Sequence, residues 1–169
     1  MKLNLFLKIT PIMVLFALNS CSADSNDVGD YTSKVKSGLV ENYTYSTLET
    51  ETLNAINEYR VSIGLNRLEV INHISFKSEE HDIYMINKKG LNHDDFTSRS
   101  ENIMKVLGAI TVAENIALNY NTPNSVLNAW LNSPKHKAVV VGNFTHFGIS
   151  IREDTETGKK YFTNIFAKI

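Results

Sequence analysis

The chain has 169 residues, of which 43% are hydrophobic and 21% charged, and its formal net charge is −1. This length holds one hydrophobic core, and the low counts of Gly (8) and Pro (3) exclude collagen-like and broadly disordered proteins. The single Cys excludes a disulfide within the chain, and the near-neutral charge excludes non-specific nucleic-acid binding.

The first twenty residues have the composition of a secretory signal peptide. Residues 1–20 contain two Lys, no acidic residue, and an apolar run from Ile12 to Leu18 that is too short to span a bilayer. The motif Leu18-Asn19-Ser20-Cys21 matches the bacterial lipobox, in which the Cys becomes the lipidated first residue of the mature protein. We therefore expect Cys21 to anchor the protein to the bacterial cell envelope outside the cytoplasm, at the outer membrane or cell surface. The alternative is a buried free thiol, but the polar residues that follow Cys21 offer nothing to bury it.

A polar stretch separates this segment from the rest of the chain. Residues 21–47 are rich in Ser, Asp, Thr and Asn and lack sustained periodicity, so we interpret them as the lipidated Cys and a flexible tether. Tyr43 and Tyr45 are the first residues that we expect to pack onto the domain. Residues 48–169 have the apolar pattern of one globular domain.

Two helices begin this domain. Apolar residues at helical spacing, among them Leu53 and Ile56, predict a first helix that ends before Gly64. A second helix follows the stripe from Ile74 to Met85 and stops at Lys88-Lys89-Gly90, where cations meet the negative helix end.

Two shorter helices follow. Ser98 is the predicted N-cap of a third helix, which Gly108 ends. Thr122 is the predicted N-cap of a fourth helix with Pro123 in its first position, and Ser133-Pro134 interrupts that helix.

The C-terminal part of the domain has the pattern of a hairpin. Residues Phe144 to Arg152 alternate, residues 153–158 form a turn, and Tyr161 to Ala167 return as the second strand. Thr111 to Leu118 is a further candidate strand. Helices that precede an antiparallel hairpin predict an α+β domain, and apolar side chains on both faces of the hairpin favour a three-layer α-β-α sandwich.

Polar side chains in apolar surroundings are the candidates for chemistry. Glu114 is the most informative, because it lies in the small-apolar run Val112 to Ala117 and a buried carboxylate must meet a cation, a metal or a neutral His. We look for its partner among the histidines. His93 lies on a predicted loop and His136 follows a Pro-bent helix end, so both can converge on Glu114. We interpret His81 as an ordinary core histidine.

Sequence spacing alone specifies neither a nucleophile nor a metal site. Ser133 and His136 lack the Gly-x-Ser-x-Gly context that exposes a nucleophilic serine. No His-Glu-x-x-His motif presets two metal ligands on one helix. A metal site therefore depends on convergence of distant residues.

Six ordered sequence blocks resemble the bacterial branch of the CAP superfamily, which comprises cysteine-rich secretory proteins, antigen 5 and pathogenesis-related 1 proteins and is also called SCP-like. The blocks are His81–Met85, Gly90–His93, Ala113–Ala117, Ala129–Lys137, Phe144–Ile149 and Phe162–Ala167. They cover nearly all of residues 50–169, and their order and spacing are more specific than any one block. The resemblance implies a three-layer α-β-α sandwich.

The resemblance also implies a functional cleft. The cleft of this family is built from two His and two Glu, which in many members bind a divalent metal such as zinc. His93, Glu114 and His136 match the two His and one Glu, whereas Ser133 stands at the position of the second Glu. Three ligands would then remain, with a water in the fourth place and a reduced affinity for zinc. Asn115 is expected to hold a loop through its side-chain amide.

Three functions are open on this basis. We favour a non-catalytic extracytoplasmic module, tethered by Cys21, whose cleft of His93, Glu114, Ser133 and His136 binds a small-molecule, lipid or protein ligand with or without zinc. The alternative is a metal-dependent, peptidase-like hydrolase in which Glu114 is the general base on a zinc-bound water. A third hypothesis is a structural or adhesive surface protein with a vestigial cleft. Binding is favoured because the sequence offers no activated nucleophile and the ligand set is incomplete.

Overall fold

A computed structural model describes residues 38–169 of the chain. The predicted signal peptide, Cys21 and the first part of the tether lie outside the described residues. The helices are α1 (Thr47–Ser62), α2 (Asn72–Lys88), α3 (Phe96–Leu107), α4 (Pro123–Asn132) and α5 (Pro134–Val140). The strands are β1 (Glu69–Val70), β2 (Thr111–Leu118), β3 (His146–Glu153) and β4 (Lys160–Lys168). Within this part of the chain, no helix has the length and apolar composition needed to cross a membrane.

The four strands form one sheet in the order β1-β3-β4-β2. The short β1 runs parallel to β3, and the predicted hairpin of β3 and β4 is confirmed as an antiparallel pair. The candidate strand β2 is also confirmed, and it pairs antiparallel with β4 at one edge of the sheet. Strand β2 is therefore an edge strand, and α3 and α5 both contact it.

Helices cover both faces of the sheet, which confirms the predicted α-β-α sandwich. On β4, Phe162 and Phe166 pack into the core formed with α1, α4 and α5, which includes Trp130. Ile165 and Ala167 of the same strand pack with α2 and α3 on the other face. This alternation is what the apolar pattern of the hairpin predicts, because successive strand residues point to opposite faces.

Local capping signals place several helix ends as predicted. The Thr122 side chain accepts a hydrogen bond from the backbone N–H of Ser125, with Pro123 in the first turn. The interruption at Ser133-Pro134 is confirmed, since α4 ends at Asn132 and α5 begins at Pro134. Gly64 follows α1 with φ of 81°, a conformation that favours glycine.

The predicted start of the third helix is wrong. Helix α3 begins at Phe96, and Asp95, with φ of 58°, is its N-cap, so Ser98 lies inside the helix. The backbone N–H of Arg99 already donates to the carbonyl of Asp95. The helix starts earlier because Arg99 and the loop before it are held by long-range contacts, which the sequence pattern around Ser98 does not encode.

The segment before α1 lies against the domain. The backbone N–H of Val40 donates to Nδ1 of the buried His73, and the Tyr45 hydroxyl contacts Asn72 and Ser75. The Tyr43 hydroxyl donates to Glu49 in α1. Among the described residues, contact with the domain is therefore already present at Val40, before the two tyrosines that we expected to pack first.

Candidate functional site

Glu114 lies in the middle of β2, and its side chain is only 1% exposed. Arg99 of α3 binds both oxygens of this carboxylate through one edge of its guanidinium group. Arg99 Nε donates to Glu114 Oε2 at 3.0 Å, and Arg99 Nη2 donates to Oε1 at 2.9 Å. A buried bidentate pair of this kind satisfies the charge of Glu114 within the protein.

His93 is the second partner of the same carboxylate. Its Nδ1 lies 2.8 Å from Glu114 Oε1, and because a carboxylate only accepts, Nδ1 carries the proton. The other ring nitrogen, Nε2, has no hydrogen bond among the described residues, and the side chain is 48% exposed. The predicted meeting of His93 and Glu114 is therefore present in the fold.

His81 is a third side chain that lies beside Glu114, and it is buried. Its Nε2 lies 2.8 Å from the carbonyl oxygen of Asn92 and 3.8 Å from Glu114 Oε1. Burial lowers the pKa of His81, while the nearby Glu114 raises it and Arg99 lowers it. His81 is a buried histidine, as we interpreted it, but it also borders the candidate site.

The loop that carries His93 is fixed by the same side chains. Besides the bond from His81 to Asn92, Arg99 Nη1 donates to the carbonyl oxygen of Asp94 at 2.7 Å. The Tyr84 hydroxyl donates to the Asp94 carboxylate at 2.9 Å. Arg99 thus holds Glu114 and the loop in one arrangement.

His136 approaches the site from the other side of β2. Neighbouring residues of a strand point to opposite faces, so Glu114 faces α3 while Asn115 faces α5. The Asn115 amide donates to the carbonyl oxygen of His136 at 3.0 Å, so Asn115 has the structural role that we expected, but it holds helix α5 rather than a loop. Burial lowers the pKa of His136, and its electrostatic interaction with the nearby His93 lowers that pKa further. Among the described residues, the His136 ring has no hydrogen bond to Glu114.

A cavity of about 320 Å³ opens beside His136 at the edge of the sheet. Its walls come from the loop before α3, from β2 and from the α4–α5 junction: Leu91, Ile116, Ala117, Leu118, Tyr120, Ala129, Trp130, Ser133 and His136. The Trp130 indole N–H donates to the carbonyl oxygen of Ile116 at 3.0 Å, so the largest wall residue is fixed. Ser133 and His136 of the predicted cleft line this cavity, whereas His93 and Glu114 do not.

The three predicted zinc ligands do not fit a zinc ion as they stand. Both oxygens of Glu114 are bonded to the guanidinium of Arg99, and a metal on this carboxylate would lie beside that positive charge. In residues 38–169, no group of three or more His, Cys, Asp or Glu side chains is arranged to hold a metal ion. The sequence left a cation, a metal or a neutral His open as the partner of Glu114, and the structure places both His93 and the cation Arg99 there.

Arg99 is the site residue that sequence reasoning missed. The sequence did contain a signal for it, because a buried carboxylate in an apolar run needs a cation nearby. Arginine suits this role, since its planar guanidinium group can donate two parallel hydrogen bonds to a carboxylate. Arg99 is fifteen residues from Glu114, however, and no local pattern indicates which of the basic side chains folds back. Only the packing of α3 against β2 brings the two together.

Comparison with known proteins agrees with this fold. Residues 53–166 match the model of the cysteine-rich secretory protein family, CAP. The uncharacterized protein YkwD of Bacillus subtilis (strain 168) is 31% identical over 112 residues, which is 64% of this chain and 44% of YkwD. The chain therefore spans less than half the length of this relative.

Two solved structures have the same fold. An outer surface protein from Borrelia burgdorferi has a TM-score of 0.63 at 21% identity, over 76% of this chain and 98% of that one. An extracellular protein containing a SCP domain from Bacillus anthracis str. Ames has a TM-score of 0.63 at 18% identity, over 76% of this chain and 45% of that one. The family match spans most of the α-β-α sandwich, and the chain belongs to the cysteine-rich secretory protein (CAP) family.

Proposed function

We propose that this chain is a non-catalytic binding module, held outside the cytoplasm, that takes a small uncharged apolar ligand in the cavity beside His136. The observation that carries this proposal is the cavity itself. Its volume of about 320 Å³ lies at the lower end of the range for small-molecule sites, roughly 300 to 1,000 Å³.

The chemistry of the walls defines the class of ligand. The residues that line the cavity in the described part of the chain include aromatic and aliphatic side chains but no Asp, Glu, Lys or Arg. Burial lowers the pKa of His136, which favours a neutral imidazole at pH 7. A charged group would lose its hydration here without gaining a partner. The ligand is therefore an apolar molecule, or the apolar end of a longer one, with a hydrogen-bonding group for Ser133 or His136.

The cavity is held open by contacts that do not involve a ligand. Trp130 is bonded to the backbone of β2, and Asn115 holds α5 at His136. A preformed cavity loses little conformational entropy on binding, which favours affinity from apolar contacts alone.

The arrangement around Glu114 supports binding rather than hydrolysis. A general base must reach a substrate proton, whereas the Glu114 side chain is 1% exposed and both of its oxygens accept from Arg99. Glu114 also lies outside the cavity lining. We therefore assign Glu114 a structural role rather than that of a general base.

The location outside the cytoplasm rests on two supports. The structures that share this fold are described as an outer surface protein and an extracellular protein. The sequence before the domain has the lipobox ending at Cys21. Together they favour a lipoprotein whose domain faces the exterior from a membrane surface.

Binding can be tested with the neutral fluorescent probe N-phenyl-1-naphthylamine. Ala129→Leu replaces a methyl group in the cavity wall by an isobutyl group, so we expect the probe to bind at least about tenfold more weakly than to the wild type, a change of ~1.4 kcal/mol. The control is Ala138→Leu, the same change at an exposed position of α5. Equal affinities in A129L and wild type, or no probe binding to the wild type, would reject the proposed site.

A further inference from the structure

We propose that Arg99 is the built-in cation of this cleft: it takes the place beside Glu114 that a divalent metal would need, and so makes the carboxylate independent of metal. This inference does not depend on the ligand of the neighbouring cavity. It concerns Glu114, His93 and His81, none of which lines that cavity.

The first support is the completeness of the ion pair. Arg99 is 9% exposed and Glu114 is 1% exposed, so solvent screens their interaction little. The guanidinium reaches both carboxylate oxygens, at 2.9 and 3.0 Å. A zinc ion bound to the same oxygens would have to displace the fork and then lie beside a buried positive charge, which is unfavourable.

The second support is the position of the protons on the two histidines. His93 Nδ1 donates to Glu114 Oε1 at 2.8 Å, and His81 Nε2 donates to the carbonyl oxygen of Asn92 at 2.8 Å while it lies 3.8 Å from the same Glu114 oxygen. A ring nitrogen that carries a proton has no lone pair for a metal. Neither nitrogen beside Glu114 is therefore a metal donor as the side chains stand, and Arg99 is the cation next to this carboxylate.

The third support is the additional bond that the guanidinium makes. Arg99 Nη1 donates to the carbonyl oxygen of Asp94, so the same side chain that neutralises Glu114 also fixes the loop carrying His93. A metal ion in place of Arg99 would have to neutralise Glu114 and also hold the loop that carries His93. Arg99 is thus a positioning residue rather than a catalytic one.

Zinc titration calorimetry on the purified full chain tests this inference. In Arg99→Ala we expect zinc to bind at least about tenfold more tightly than to the wild type, because the carboxylate loses its cation. The gain should disappear in the double variant R99A/E114Q. In Arg99→Lys, which keeps a cation, zinc affinity should stay near that of the wild type.

Two results would overturn the inference. One is a zinc affinity of R99A equal to that of the wild type. The other is zinc binding by the wild type that Glu114→Gln abolishes, because Glu114 would then be a metal ligand with Arg99 present.

If R99A does not fold, the comparison of wild type with E114Q decides. Zinc affinity unchanged by E114Q supports the inference, and affinity lost in E114Q rejects it. Neither result alters the probe affinities of A129L and A138L, so failure here is distinguishable from failure of the proposed function.

Discussion

Two buried carboxylates in this domain are satisfied in opposite ways. Glu114 accepts from the guanidinium of Arg99 through both of its oxygens. Asp82 is completely buried, and its Oδ1 accepts from the Thr163 hydroxyl at 2.6 Å, whereas Oδ2 has no partner among the described residues. Burial raises the pKa of Asp82 well above its usual range, so the neutral acid is the favoured form in the folded protein.

Because burial raises the pKa of Asp82 in the folded protein, the free energy of unfolding depends on pH. In the unfolded chain Asp82 loses its proton near the ordinary pKa of 3.8, whereas the folded protein keeps it to higher pH. The contribution of Asp82 to stability is fully present below the unfolded-state pKa. It decreases as the pH rises through the folded-state pKa, by up to about 1.4 kcal/mol per pH unit between the two values.

We expect Asp82→Asn to flatten this dependence. Asn keeps an acceptor for Thr163 but cannot ionise, so the free energy of unfolding should decrease less between pH 5 and pH 8 than in the wild type. Chemical denaturation at both pH values measures the difference. Glu80→Gln, at an exposed position of the same helix, should keep the wild-type slope. If D82N also keeps it, Asp82 does not titrate differently in the two states.

At the residue scale, the need for a partner was predictable but the partner was not. The apolar run around Glu114 shows that its charge must be matched, and the loop position of His93 made it a candidate. The choice of Arg99 depends on how α3 packs against β2, and this is a property of the tertiary structure. The position of His136 beside the apolar cavity also depends on the tertiary structure, and residue spacing in the sequence does not predict it.

At the scale of elements, Glu49 joins three parts of the chain. It is completely buried, and its Oε1 accepts from the Tyr43 hydroxyl, from the backbone N–H of Ile151 and from the guanidinium of Arg152. Its other oxygen accepts from the backbone N–H of Ser46 in the capping box of α1. One side chain thus fixes the segment before α1, the start of α1 and strand β3.

We expect Glu49→Gln to destabilise the domain by about 2 kcal/mol, because it turns an amide donor toward buried donors, although Arg152 keeps its ion pair with Glu79. The melting temperature and the denaturation midpoint measure the loss. Glu51→Gln changes an exposed residue of the same helix and should be nearly neutral. Equal stability of the two variants would show that the Glu49 network adds nothing to the fold.

Element boundaries were predictable where the signal is local. The Thr122-Pro123 cap and the Ser133-Pro134 break act within one helical turn, and both are where the sequence indicates. Helix α3 begins before Ser98 because a residue in the left-handed region, Asp95, supplies its N-cap without a side-chain bond. Strand β1 was not predicted, since two residues are too few for alternation and its pairing with β3 is long-range.

At the scale of the whole molecule, the strand order creates the cleft. Strand β2 is at the edge of the sheet, so α3 with the loop before it and the α4–α5 junction approach it from opposite faces. Glu114 is paired with Arg99 on one face, and the cavity opens at the sheet edge, where both the loop before α3 and the α4–α5 junction contribute walls. The sandwich was predictable from the apolar pattern of the hairpin. The cavity was not, because its shape depends on side chains from separate elements.

The proposed anchor gives a prediction about the complete protein. Cys21→Ala should move the protein from the membrane fraction to the soluble fraction, because acyl chains on this Cys would be its membrane attachment. Fractionation followed by immunoblotting measures the partition. Ser22→Ala, the neighbouring change, should leave the protein in the membrane fraction. Membrane association of C21A equal to the wild type would contradict a lipid anchor at Cys21.

The most direct measurement is native mass spectrometry of the protein isolated from its own host without chelator. A cleft that binds an apolar ligand and carries its own cation should retain an organic molecule that solvent extraction removes, and should contain no stoichiometric zinc. Stoichiometric zinc bound through Glu114, with no organic ligand, would contradict the account.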